Sequence, residues 1–207
     1  MRDFPEVSTG NKVVRASVAT ALFVVALLAI NVAHMRWLDV NVVFYSSLLD
    51  AAIAVLLMLA VLALAPFRGF NAFEKLQLVV VWALIGYAYA ISVPTVIDRS
   101  LSFYILEKLE QRGGGIRKDA FDRVFTDEYM KEHHLVDIRL TEQEQSGTVV
   151  IRDGCVKLTP KGARLAEFSR FYRTHLLPKK RLILDSYTDA LTDPFRNSDT
   201  HANYTCE

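Results

Sequence analysis

Three stretches of this chain contain no Asp, Glu, Lys, Arg or His: residues 16–33, 51–66 and 76–97. A helix on the surface of a soluble domain needs a polar face, so uncharged runs of this length exclude that role. With its flanks, each run offers about 18–24 apolar residues, enough to cross a hydrocarbon core of roughly 30 Å. A soluble helical core is the alternative, but three such runs in the first hundred residues would overfill it. The whole-chain values, 52% hydrophobic residues and a net charge of +1, conceal this segregation.

Other absences narrow the chemistry. There are two cysteines, Cys155 and Cys206, too few and too far apart for a metal set, and no C-x-x-C. His133 and His134 are neighbours, so on a helix they point about 100° apart and cannot share one ion. The glycine run "RGGGI" at 112–116 has no Lys-Ser/Thr after it and no strand before it, so it reads as a helix stop and joint, not a phosphate loop. No G-x-S-x-G and no close carboxylate pair is present. No catalytic, cofactor or metal residue is expected, and an enzyme acting alone is the least supported class.

The first uncharged run follows Arg2, Lys12 and Arg15. It is too long for a signal-peptide core and no small-x-small cleavage site follows, so it is expected to be a permanent anchor. The second span, near 43–67, carries Ser46, Ser47 and Asp50 in its first turns. A carboxylate in a span is a functional candidate by default. The plainer expectation, that Asp50 lies at headgroup level and ends the span, is preferred. The third span, near 76–97, contains Pro94, which should loosen its last turn, with Ser92 and Thr95 placed to satisfy the freed backbone. Asp98 and Arg99 follow at the expected water line.

Residues 100–181 pattern differently. Leu101, Ile105 and Leu109 recur at helical spacing behind a Ser100 or Asp98 cap. A short helix is expected over 119–124. A third follows over about 127–145, capped by Thr126 and burying Tyr129, Met130, Leu135, Val136 and Leu140. "SGTVVIRDGCVKLTPKG" at 146–162 then reads as a hairpin feeding a helix. Asp153-Gly154 suits a type I′ turn between two β-prone runs, and Cys155 should pack in that hairpin. Thr159 offers an N-cap and Pro160 occupies the first helical position. The helix from Pro160 to about Leu176 carries Leu165, Phe168 and Tyr172 on one stripe.

Three helices, a hairpin and a closing helix follow the winged-helix order. The segment 146–168 resembles the wing and the L-T-x-x-G helix start of bacterial and archaeal winged-helix regulators. The resemblance covers 100–181 only. It implies a winged-helix fold and leaves function open, because folds host sites without defining them. Specific DNA binding is not expected. Residues 127–145 hold six acids against two bases, Lys131 and Arg139, which would repel phosphates. The bases lie further on: Lys157, Lys161, Arg164, Arg170, Arg173, Lys179, Lys180 and Arg181, against Glu167 alone. Such a run near a membrane suits contact with anionic cytoplasmic lipids.

Positive charge divides almost evenly across the membrane, with Arg2, Lys12, Arg15, Arg68 and Lys75 on one side and Arg36, Arg99, Lys108, Arg112, Arg117 and Lys118 on the other. The basic run and the winged-helix resemblance tip the expectation to a cytoplasmic C-terminal half. After Arg181 the chain is acidic and rich in turn formers, so 182–207 reads as an extended tail. Tyr187, Leu191 and Phe195, at i, i+4 and i+8, suggest a turn or two that docks. Asn203-Tyr-Thr205 matches a glycosylation sequon, which has meaning only outside the cytoplasm.

The expectation is therefore a mainly α, multi-pass protein of the cell (inner) membrane. Residues 1–99 form a three-helix membrane domain, 100–181 a winged-helix-like domain and 182–207 a tail. Asp50, Pro94, Asp98, Arg99, Tyr187, Leu191 and Phe195 are the candidate interaction residues, and the eight bases the candidate lipid contacts. The expected partners are membrane lipids and a membrane protein or a second copy of the chain. The expected role is an accessory or regulatory subunit of a membrane complex. A membrane-tethered transcription regulator is the alternative, and an enzyme acting on a lipid-linked substrate is less favoured.

Overall fold

The structure is a computed structural model that describes residues 9–198 together with Tyr204 and Cys206. Arg2, Asn203 and Thr205, named above, lie outside the described residues. The chain divides after Ala120 into two compact units.

The first unit is helical. It contains α1 (Thr9–Trp37), α2 (Val43–Val61), α3 (Ala72–Ser92), α4 (Pro94–Arg99) and α5 (Leu101–Gln111). Three segments are long and apolar enough to cross a membrane: Gly10–Trp37, Val43–Val61 and Ala72–Arg99. Helices of this length and composition are those of a membrane protein with three spans. Their shared core is Phe23, Leu27, Ala54, Met58 and Trp82, joined by Leu62, Phe67 and Phe70 at one end. Phe23 stacks on Trp82 at 5.7 Å, and the Trp82 indole N–H donates to Thr20 at 3.1 Å, so the large ring is buried without an orphan donor. Asn71 caps α3 in a reciprocal box with Glu74, both bonds 2.8 Å. At the same end of the unit, Lys12 pairs with Glu74 at 2.8 Å, and Arg15 donates to the Pro66 carbonyl at 2.8 Å.

Pro94 does interrupt the third span. It has no N–H to give the Ala90 carbonyl, and the Thr95 hydroxyl supplies that bond at 2.7 Å. Helices α3 and α4 meet at Val93, and α4 packs on both α3 and α2. Ser100 caps α5 through the Phe103 N–H at 3.3 Å. The face of α5 that is buried differs from expectation: Tyr104 and Lys108 are buried, whereas Leu101 and Leu106 are exposed.

The second unit begins with α6 (Phe121–Arg123), continues as a π-helical segment (Val124–Tyr129) into α7 (Met130–Glu132), and restarts as α8 (Leu135–Gln145). The single helix expected over 127–145 is thus broken. His134 takes a left-handed conformation, φ 44°, which an α-helix cannot pass through. Thr126 is not a cap. It lies inside the helical segment and donates back to the Asp122 carbonyl at 3.0 Å. An aromatic ladder holds this segment instead: Phe121, Phe125, Tyr129 and His133, with successive ring centroids 6.0, 6.3 and 5.0 Å apart. Met130 and Val136, expected in a core, are exposed.

The hairpin follows its sequence closely. β1 (Val149–Arg152) pairs antiparallel with β2 (Cys155–Leu158), Val149 opposite Leu158. Asp153 and Gly154 both have positive φ, 53° and 74°. Thr159 accepts from the Gly162 N–H at 3.1 Å and donates to the Gly147 and Thr148 carbonyls, so one hydroxyl joins hairpin to helix. Gly162 is pressed on the Thr148 carbonyl, where any side chain would collide. Helix α9 (Pro160–His175) follows, then a second hairpin, β3 (Arg181–Ile183) and β4 (Ser186–Thr188).

Candidate functional site

The site lies where the C-terminal end of α1, the second turn of α2 and the last turns of α3 converge. Asp50 is fully buried there, within the helical unit. Burying a carboxylate is costly unless its oxygens are bonded, and here both are. Oδ2 accepts from the Asn31 amide at 2.8 Å. Oδ1 lies 2.6 Å from His34 Nδ1. Asn31 lies within 3.3 Å of the Ser47 hydroxyl and accepts through Oδ1 from the Tyr89 hydroxyl at 2.9 Å. The result is one chain of bonds, Tyr89 to Asn31 to Asp50 to His34, that contacts all three spans.

Local geometry explains the convergence. Asn31 and His34 are three residues apart on α1 and share a face, as do Ser47 and Asp50 on α2. The helices come close because the interface residues are small. A Cβ placed on Gly86 of α3 would lie 2.7 Å from the Ala51 Cβ, next to Asp50. Asp50 emerged from the sequence because it stood alone in an apolar segment. Asn31, His34 and Tyr89 were missed. The available signal was their i, i+3 pairing with Ser47 and Asp50 across the short loop 38–42, which turns α2 back onto α1.

Chemically the cluster is a continuous hydrogen-bonded polar chain inside an apolar helical unit. His34 is 14% exposed at its side chain and Asp50 1%, so the imidazole is the outer end of the chain and the carboxylate the inner one.

The remaining sequence candidates are dispersed. Asp98 and Arg99 are partly exposed neighbours 3.9 Å apart at the end of α4, and Pro94 begins that helix. Neither joins the Asp50 cluster. Seven of the eight bases are exposed on β2, α9 and the chain after it, and Arg173 is half-buried with its guanidinium 5.9 Å from the Phe195 ring. Tyr187, Leu191 and Phe195 do not form a helical stripe, because Tyr187 lies in β4, opposite Leu182, and the other two lie in turns. The tail is still tied to its own unit. Phe195 meets Arg173, and the Thr192 hydroxyl donates to the Lys179 carbonyl at 2.8 Å. Arg196 grips Asp189 with two bonds of 3.0 and 3.2 Å, and this hydrogen bonding holds the Asp189 carboxyl below its usual range.

No family model, curated protein or solved structure matches this chain.

Proposed function

We propose that the chain is a membrane-anchored accessory or regulatory subunit, with a winged-helix-like second unit and tail that dock protein. One observation carries this. In the second unit only Val124, Thr148 and Gly162 are buried among the described residues, while Leu165, Phe168, Phe171, Tyr172, Leu176 and Leu177 are exposed on and just after α9. An apolar face of that extent, on a unit with so little core, gains its burial from another surface. The buried polar cluster ties the three spans of such a subunit to one another. The partners supported are membrane lipids and a membrane protein or second copy.

The competing reading, a membrane-tethered transcription regulator, draws on the hairpin that precedes α9. The acids of α8 and its flanks weigh against it. An enzyme using Asp50, Asp98 or Arg99 is supported less, because the three do not share one site. A cytoplasmic second unit in the cell membrane is supported by the basic run and the winged-helix resemblance, and the pairing of Cys155 with Cys206 weighs more on the other side.

The test uses full-length protein in mild detergent, comparing the parent with a Leu165→Asn, Phe168→Asn, Tyr172→Asn variant. The variant should stay folded by circular dichroism and lose the larger species seen by light scattering, or the partner found by quantitative co-purification. Unchanged assembly in a folded variant overturns the proposal.

A further inference from the structure

The only two cysteines of the chain meet. Cys155, the first residue of β2, and Cys206, near the end of the tail, form a disulfide across 51 residues with their Cα atoms 6.2 Å apart. That spacing is one a disulfide spans without backbone movement. From it we infer that the second unit and tail lie on the oxidising face of the membrane, outside the cytoplasm, with the N-terminus inside.

Three observations converge, independent of the proposed subunit role. Disulfides persist outside the reducing cytosol and are concentrated in small domains with too little core to be stable by burial alone. This unit is of that kind, with three buried residues among those described. The bond also fastens a tail that, among the described residues, meets the rest of its unit through the Arg173–Phe195 contact and the Thr192 bond to the Lys179 carbonyl. Finally, with the helix ends located, the charge across the short segments is no longer even. Around the first span and the two loops between spans, Lys12, Arg15, Arg68 and Lys75 lie on the N-terminal side and Arg36 on the other, while Arg99, Lys108, Arg112, Arg117 and Lys118 follow the third span. The first span usually dominates orientation, and its flanks place the N-terminal side in the cytoplasm. Three spans then put the second unit outside.

The bond forms by exchange with the disulfide of an oxidising dithiol protein. The Sγ–Sγ bond of Cys155 and Cys206 is made as the donor's own disulfide breaks, and the two electrons and two protons leave on the donor as two thiols. On this face the basic run does not meet the inner leaflet's anionic lipids, and chromosomal DNA is absent. Any docked protein partner must present an extracytoplasmic surface.

The full chain is expressed in intact cells, acid-quenched and treated with a mass-tagging maleimide. Two mass increments should appear only after reduction. Glu167→Cys, placed in a Cys155→Ser, Cys206→Ser chain, should react with a membrane-impermeant maleimide in unbroken cells, while Gly10→Cys should react only after permeabilisation. Repeating both with the native pair retained keeps the test valid if the serine chain misfolds. Free thiols in the parent, or labelling of the reverse pattern, overturn the inference.

Discussion

His34 Nδ1 and Asp50 Oδ1 stand 2.6 Å apart between α1 and α2, inside a membrane-spanning unit. The pair is built from residues sixteen positions apart in sequence, brought together by the turn at 38–42. Because Asn31 and Tyr89 continue the network, the carboxylate links three helices rather than two.

Removing Asp50 should therefore loosen the whole helical unit. Asp50→Ala leaves the Asn31 amide and His34 without their shared acceptor, at a cost of about 1–2 kcal/mol. Asp50→Asn keeps an acceptor for Asn31 and should recover part of the loss. Denaturant titration of the purified protein in detergent separates the three forms. Equal stability of parent and Asp50→Ala would show the cluster to be unimportant for packing.

Gly86→Val should be at least as harmful. Its Cβ would press on Ala51, where α2 and α3 cross, and overpacking of this kind costs about 1–3 kcal/mol. Gly10→Val, which meets nothing within 4 Å, is the matched control and should unfold at the parent's denaturant midpoint.

Thr159→Ala should uncouple the first hairpin from α9. The hydroxyl caps the helix and donates to two hairpin carbonyls, and loss of a cap costs about 1 kcal/mol. Hydrogen exchange should quicken in 149–163 and stay unchanged in the spans. Uniform quickening along the chain would assign the residue a different role.

The tail clasp should be acid-sensitive. Arg196 holds the Asp189 carboxyl below its ordinary range, so the clasp favours the folded tail at neutral pH. That contribution is fully present above the usual carboxylate range and is lost as pH falls from that range through the lowered value. Proteolysis of 182–198 should rise at low pH in the parent, and Asp189→Asn should show the faster rate at neutral pH, with the parent approaching it in acid. A parent rate that does not vary with pH would remove the clasp from the account.

The full chain should not bind duplex DNA specifically. The acids that flank Lys131 and Arg139 oppose it, and Arg139 is already paired with Glu142 at 2.7 Å. A mobility shift at moderate salt, abolished by Lys131→Ala and Arg139→Ala together, would revive the transcription-regulator reading.

Local chemistry was sufficient for the parts of this molecule whose cause is local. The uncharged runs fix the three spans, because a bilayer leaves few alternatives for such segments. Asp153-Gly154, Thr159 and Pro160 fix the first hairpin and the start of α9, because turn and cap preferences act over two or three residues. Pro94 and Thr95 likewise announce their own repair of the backbone. Tertiary structure decided the rest. The break at His134 has no glycine or proline to signal it, and the Tyr187, Leu191, Phe195 spacing was realised as a hairpin and turns because strand pairing with 181–183 competed with helix formation. The partners of Asp50 and the meeting of Cys155 with Cys206 depend on which faces approach across loops and a 51-residue separation. Such contacts are set by the packing of whole elements, which no short window of sequence contains.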